Sequence, residues 1–227
     1  MSSPAPAPTR AELADRAAAL GDMLASDQLR VMRDTIRTLV DRGAGDAALK
    51  SGATAPDFIL PTSDGTPLRL YDQLSNGPVA LVFFRGGWCP FCETYLRGLQ
   101  RELPQIRELG AELIAVSPQL PDGGLQTRID HALNFPLVTD AGLHTADQYG
   151  LVYTVPPALL RVYAQIGIEL DMLNGDAGRD RLPLAATYVV GSDRKIARAE
   201  INEDYTQRYD PSDIVAALAK LKARESS

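Results

Sequence analysis

Both cysteines of this 227-residue chain, Cys89 and Cys92, lie in a single CxxC motif. The apolar run Val79 to Phe84 precedes the motif and an amphipathic segment follows it, which predicts a buried strand, a turn at Gly86 and Gly87, and the first turn of a helix. A helix N-terminus favours a thiolate, and two cysteines at this spacing can close into a disulfide. The motif therefore predicts a redox site.

The composition is that of a water-soluble globular protein, with 45% hydrophobic and 23% charged residues. A formal net charge of -6 and a pI near 5.0 argue against a nucleic-acid or anionic-membrane surface. The N-terminus has no apolar signal region, and no run of about 18 apolar residues occurs. We therefore expect a cytoplasmic protein, in which a CxxC motif is more often catalytic than structural.

Other roles for the cysteines fit the sequence less well. A zinc site needs about four ligands, whereas the chain offers one CxxC motif and the distant His131 and His144. A structural disulfide across so short a loop would add little stability. Two inert buried thiols remain an alternative. We expect neither a metal ion nor another cofactor.

The elements around the motif predict an α/β fold of the thioredoxin type. A β-hairpin is expected from Ala55 to Leu70, and the strand, helix and strand from Val79 to Pro118 predict a parallel βαβ unit. Later segments are predicted as a loop at Asp122-Gly123-Gly124, a short helix at 129–133, a strand at 135–140, a helix at 142–151, antiparallel strands at 186–190 and 195–199, and a last helix capped by Asp210.

The predicted domain organisation has three parts. They are a disordered lead-in at 1–8, a helical extension at 9–45, and one domain at 50–224 that carries an insertion at about 152–182. A capping box formed by Thr9 and Glu12 is expected to begin the first helix of the extension. Exposed apolar faces on the extension and the insertion would suit a homodimer.

The chain resembles the peroxiredoxin-like branch of the AhpC/TSA (redoxin) family in the thioredoxin-fold superfamily. The resemblance covers roughly residues 52–221. Its motifs, in the family's order, are Ala55-Pro56-Asp57-Phe58 with Asp64-Gly65, the stretch 79–92, and Thr187-Tyr188-Val189-Val190. It implies a thiol-dependent peroxidase that cycles through a Cys89–Cys92 disulfide, with a hydroperoxide as substrate and a thiol donor such as a thioredoxin as reductant.

The chain departs from the peroxiredoxin pattern at three positions. Aligned without gaps, the peroxidatic cysteine of the family falls on Cys92, its Thr on Cys89 and its upstream Pro on Arg85. The family's Arg on a later strand falls on Ala185. The residues that polarise peroxide in the family are therefore missing from their usual places.

Two assignments of the nucleophile follow. In the thioredoxin-like one, Cys89 attacks because it lies at the more exposed end of the helix, and we favour this assignment. In the peroxiredoxin-like one, peroxide oxidises Cys92 and Cys89 resolves the product. Supporting roles are expected for Arg85, which either tunes the thiolate or is simply solvated, and for Trp88, Pro90 and Thr187, which flank the motif.

Two further functions remain open at this stage. One is a general thioredoxin-like oxidoreductase that acts on protein disulfides without peroxidase activity. The other is a redox-sensing interaction module, in which the CxxC motif switches a surface made by the extension and the insertion.

Overall fold

The computed structural model describes residues 8–225. Its helices are α1 (Pro8–Met23), α2 (Ser26–Asp41), α3 (Leu70–Leu74), α4 (Pro90–Glu108), α5 (Pro121–Asp130), α6 (His144–Gln148), α7 (Pro157–Gln165), α8 (Leu170–Asn174) and α9 (Pro211–Glu225). Its strands are β1 (Ile59–Pro61), β2 (Pro67–Arg69), β3 (Val79–Phe83), β4 (Glu112–Ser117), β5 (Leu137–Thr139), β6 (Val152–Thr154), β7 (Arg181–Pro183), β8 (Ala185–Val190) and β9 (Ile196–Asn202).

A five-stranded mixed sheet in the order β5-β4-β3-β8-β9 forms the centre of the protein. Strand β3 pairs parallel with β4 and antiparallel with β8. All five residues of β3 are apolar and buried, as expected for a strand covered on both faces. The thioredoxin-like fold, the hairpin of β1 and β2, the βαβ unit and the antiparallel pair of β8 and β9 are confirmed.

Helix α1 is tied to α4, the helix that begins at the CxxC motif. Arg101 donates hydrogen bonds to Thr9 Oγ1 at 3.0 Å and to Glu12 Oε2 at 2.9 Å. A Cβ atom at Gly98 would come within 2.4 Å of Thr9 Oγ1, so a glycine is what allows the close approach. The predicted capping box is wrong, because the helix begins at Pro8 and Thr9 and Glu12 bind Arg101 instead.

Helix α2 packs on α7, and Gln28 Nε2 donates to Gln165 Oε1 at 3.0 Å. Helix α7 belongs to the segment predicted as an irregular insertion. That segment has regular secondary structure: α7 and α8 lie in the chain between β6 and β7, and these two strands pair with each other. The extension therefore contacts both the helix of the CxxC motif and this segment.

The loop predicted at Asp122-Gly123-Gly124 is wrong. These residues lie in the first turns of α5, which begins with Pro121 and carries Asp122 in its first turn. Both are favourable at a helix start, and they outweigh the low helix propensity of two glycines.

The domain boundaries stay a prediction. The lead-in at 1–8 falls outside the described residues except for Pro8, which opens α1. Within residues 8–225, no helix has the length and apolar character needed to cross a membrane.

The central strand provides a test of the fold. Leu81 in β3 is fully buried, so Leu81→Ala leaves a cavity and should lower the free energy of unfolding by about 2–5 kcal/mol in urea titrations. The matched control is Ile129→Ala, because Ile129 is 63% exposed and should change stability by no more than about 0.5 kcal/mol. Equal effects of the two variants would contradict the assigned core.

Candidate active site

The CxxC motif stands at the junction of β3 and α4. Cys89 is the N-cap residue of α4 and Pro90 occupies its first turn, where a proline is well tolerated. The turn before it needs glycine: Gly86 has a φ of 142°, and a Cβ at Gly87 would lie 1.9 Å from Thr127 Oγ1. The chain thus delivers Cys92 to the first helical turn, where backbone N–H groups favour a thiolate.

Both cysteines are free thiols buried in the protein. Cys89 is 1% exposed and Cys92 is 0% exposed. Cys89 is therefore not exposed, contrary to the expectation that it lies at the more exposed end of the helix. Accessibility does not distinguish the two sulfurs.

Arg85 is buried beside Cys89 and is only 1% exposed, which excludes the solvated alternative. Its Nη1 donates to Cys89 Sγ at 3.7 Å, and its Nη2 donates to the hydroxyl of Tyr163. The guanidinium carbon lies 4.8 Å from the ring centroid of Trp88, 5.5 Å from that of Tyr163 and 4.1 Å from that of Tyr205. The three rings enclose the cation and stabilise it through their π faces.

A second arginine, Arg208, approaches the other sulfur. Its Nη2 donates to Cys92 Sγ at 3.4 Å. Its Nη1 is fixed by the backbone carbonyl oxygens of Tyr205 and of Gln207, the latter at 2.8 Å. Sequence reasoning missed Arg208 because it lies 116 positions from Cys92, in the connection between β9 and α9. The one hint in the sequence was Ala185, which occupies the position where the resemblance places an arginine and so leaves that position without a cation.

Neither arginine has a carboxylate partner in the described part of the chain. The buried Asp210 near this segment accepts hydrogen bonds at Oδ1 from the backbone and hydroxyl of Ser212, at the start of α9. A buried cation without a counter-ion is costly. An ionised sulfur in the motif would supply one negative charge beside these two cations.

The two sulfurs differ in protonation. Burial by itself would raise the pKa of Cys92, but a hydrogen bond from Cys89 and the positive charges of Arg208 and Arg85 outweigh it and lower that pKa well below its ordinary value. The hydrogen bond to Cys92 and burial raise the pKa of Cys89 well above its ordinary value. The site thus favours a thiolate at Cys92 and a thiol at Cys89.

Unpaired hydrogen-bond donors near the sulfurs outnumber the one unpaired acceptor of the described segment that carries Arg208, Asp210 Oδ2. Four buried donor atoms have no acceptor among the described residues: Arg85 Nε, Trp88 Nε1, Tyr153 OH and Arg208 Nε. Burying such groups unpaired costs about 1–3 kcal/mol each. The surroundings of the thiolate are therefore suited to a ligand rich in oxygen acceptors.

Trp88 contacts one of the two arginines of the site directly, whereas Thr187 is linked to the other only through Tyr95. The rings of Trp88 and Tyr163 meet edge to face, with centroids 5.6 Å apart, and both lie over the Arg85 guanidinium. Thr187 binds Tyr95, with the two hydroxyl oxygens 3.0 Å apart, and the Tyr95 ring lies 5.8 Å from the Arg208 guanidinium carbon. Supporting roles for Trp88, Pro90 and Thr187 stay predictions, and the geometry gives Thr187 an indirect one.

A profile of the AhpC/TSA family matches residues 51–199, which include both cysteines. The chain belongs to the AhpC/TSA family. Two relatives match over less than half of it. They are the thiol-disulfide oxidoreductase ResA of Halalkalibacterium halodurans, 31% identical over 45% of this chain and 57% of its own length, and a putative peroxiredoxin of Mycobacterium tuberculosis, 32% identical over 45% of this chain and 67% of its own.

Solved structures support the same fold. The peroxidoxin BcpB from Mycobacterium tuberculosis superposes with a TM-score of 0.61 at 22% identity, over 76% of this chain and 98% of BcpB. At that identity the likeness concerns the fold alone. The superposed part, 76% of this chain, is large enough to include a whole AhpC/TSA domain.

The charge of Arg208 gives a test of the thiolate assignment. Arg208→Met removes a cation 3.4 Å from Cys92 Sγ and should raise the pKa of Cys92, because a positive charge that favours the thiolate is lost. The ultraviolet absorbance of the thiolate, followed as pH rises in the reduced protein, measures the shift. Arg208→Lys is the control, since it keeps the charge and should titrate close to wild type. An unchanged titration in Arg208→Met would contradict the assignment.

Proposed function

We propose that the protein is a thiol-dependent peroxidase that reduces hydroperoxides by cycling through a Cys89–Cys92 disulfide. The observation that carries the proposal is the hydrogen bond from Arg208 Nη2 to Cys92 Sγ at 3.4 Å, in a site where neither Arg208 nor Arg85 has a carboxylate partner among the described residues. Such a site stabilises the negative charge that develops when an O–O bond breaks. Membership of the AhpC/TSA family supports the same activity.

The burial of the motif favours a small oxidant over a protein disulfide. Cys89 and Cys92 are at most 1% exposed, and the rings of Trp88, Tyr163 and Tyr205 surround Arg85, which donates to Cys89 Sγ. A hydroperoxide needs to displace few atoms to reach a sulfur so deeply buried. A folded protein disulfide needs the surrounding side chains to move aside altogether.

The geometry supports Cys92 as the nucleophile, which replaces our sequence-based preference for Cys89. The Cys92 thiolate attacks the terminal oxygen of the hydroperoxide, the O–O bond breaks, and Cys92 becomes a sulfenic acid. The departing alkoxide takes the proton of the Cys89 thiol and leaves as an alcohol. The Cys89 thiolate then attacks Cys92 sulfur and expels hydroxide, so one hydroperoxide is reduced by two electrons and one disulfide forms.

A thiol donor completes the cycle. Two thiol groups of the donor, for which we propose a thioredoxin-like protein, reduce the disulfide and are themselves oxidised to a disulfide. This step requires the sulfurs to become accessible, since the donor must contact sulfur. A reducing cytoplasm is the compartment that such a cycle suits.

A second candidate function is protein disulfide exchange of the kind named for ResA. It is favoured by the CxxC motif itself and by the 31% identity to ResA over 103 residues. Under this function the Cys89–Cys92 pair would react with protein disulfides and leave hydroperoxide unconsumed. Both functions need the buried sulfurs to become accessible to a protein thiol, but only this one also needs a protein to reach them in the oxidising step, so we rank the peroxidase above it.

Single-cysteine variants test the proposal. Cys89→Ser should still form one equivalent of sulfenic acid with hydrogen peroxide, because it keeps the attacking thiolate, but it should not turn over with a dithiol donor. Cys92→Ser should form none. A sulfenic-acid probe read by mass spectrometry checks both variants, and a peroxide assay checks turnover.

Three outcomes would count against this account. Sulfenic acid in Cys92→Ser but not in Cys89→Ser would restore Cys89 as the nucleophile. A wild-type protein that consumes no hydroperoxide but reduces an insulin disulfide would favour the ResA-like function. Full turnover by Cys89→Ser would exclude Cys89 as the resolving cysteine.

A further inference from the structure

Tyr153 in β6 carries a buried hydroxyl group that has no hydrogen-bond partner among the described residues. The residue is 8% exposed, and β6 holds it in place by pairing with β7, where Tyr153 is opposite the fully buried Leu182. Burying an unpaired hydroxyl is costly, so a group in this state favours the binding of an oxygen acceptor. The reaction sequence proposed above gives this hydroxyl no task.

The side chain of Tyr153 belongs to the cluster of groups that surrounds the two sulfurs. It interacts electrostatically with all four ionisable groups of the site, namely Cys89, Cys92, Arg85 and Arg208. Arg85 donates to Cys89 Sγ at 3.7 Å and Arg208 donates to Cys92 Sγ at 3.4 Å, so the sulfurs form the centre of this cluster. A small molecule that reaches the sulfurs therefore enters the surroundings of the Tyr153 hydroxyl.

The segment that carries Tyr153 is fixed to the site at a second point. The backbone N–H of Val155 donates to the carbonyl oxygen of Asp180 at 2.8 Å just after β6, and α7 then brings Tyr163, whose hydroxyl accepts a hydrogen bond from Arg85 Nη2. Tyr153 and Tyr163 both interact electrostatically with Arg85 and with each other. Two tyrosines of one segment thus approach the same guanidinium group, and the hydroxyl of Tyr153 is the one left unpaired.

Tyr153 is a neutral hydrogen-bond donor near neutral pH. Burial raises the pKa of Tyr153 above its ordinary value and the two sulfurs raise it further, while the charges of Arg85 and Arg208 oppose this only in part. The other unpaired donors are less free, because both arginines already donate to sulfur and Trp88 Nε1 lies against Gly86, where an added Cβ would come within 2.4 Å of it. The phenol of Tyr153 is therefore the neutral donor available to an incoming oxygen.

We propose that Tyr153 is a catalytic residue, whose hydroxyl donates a hydrogen bond to the departing oxygen of the hydroperoxide while Cys92 attacks. The inference rests on the proposed peroxidase function. The bonds change as in that function: an S–O bond forms at Cys92, the O–O bond breaks, and the proton of the Cys89 thiol goes to the departing oxygen. Tyr153 keeps its own proton, and its hydrogen bond stabilises the negative charge that develops on that oxygen.

Tyr153→Phe tests the proposal, because it removes the hydroxyl and keeps the ring. We expect kcat/KM for hydrogen peroxide, with dithiothreitol as the donor, to fall about 10–100-fold, the effect of losing one hydrogen bond to a charged oxygen. The pH at which iodoacetamide begins to label Cys92 should not change, because the hydroxyl makes no hydrogen bond to sulfur. Since the hydroxyl is unpaired, its loss should not lower the free energy of unfolding in urea titrations.

Tyr188→Phe is the matched control. The hydroxyl of Tyr188 is also buried and unpaired, but burial alone raises the pKa of Tyr188, without a contribution from Cys89 or Cys92. This variant removes the same atom from a place outside the cluster around the sulfurs. Its kcat/KM for hydrogen peroxide should stay within about twofold of the wild-type value, because no hydrogen bond to substrate is lost.

The outcomes separate the role of Tyr153 from the peroxidase function on which it rests. Wild-type protein that consumes no hydrogen peroxide overturns the peroxidase function, and the role of Tyr153 with it. An active wild type, with kcat/KM changed as little in Tyr153→Phe as in Tyr188→Phe, overturns the role of Tyr153 alone. A shift of the pH at which Cys92 is labelled in Tyr153→Phe also overturns that role, because Tyr153 would then act on the thiolate and not on the peroxide.

Discussion

The site depends on guanidinium charge held against sulfur, with Arg85 fully buried and Arg208 partly buried. Arg85 and Arg208 each donate to one sulfur of the motif, and no ion pair of the described residues includes either of them. Buried cations without counter-ions are destabilising, so the protein gains by keeping one sulfur ionised. The same electrostatic balance that stabilises the fold therefore prepares the Cys92 thiolate for reaction.

The residues around the two sulfurs come from parts of the chain that are far apart in sequence. The sheet places the cysteines, the connection after β9 brings Tyr205 and Arg208, and α7 brings Tyr163. The segment that interrupts the thioredoxin-like pattern thus supplies part of the cover of the site. Where the resemblance places a threonine and an arginine, this chain has Cys89 and Ala185, and the cations beside its sulfurs are Arg85 and Arg208.

The sheet and the redox pair could be predicted from the sequence, because both leave local signals. The all-apolar run at β3 and the turn glycines before Cys89 are visible in single segments. Arg208 and the burial of Cys89 could not be predicted, since both depend on how an irregular connection folds back over α4. The start of α5 was missed because Pro121 and Asp122 outweighed the two glycines that follow them.

Alkylation of the reduced wild-type protein over a range of pH, with peptide mass spectrometry to locate the label, tests the central claim most directly. Iodoacetamide reacts with thiolates, so the pH at which each cysteine begins to react reports its ionisation. The account predicts that Cys92 is labelled at lower pH than Cys89. Labelling of Cys89 first would contradict it.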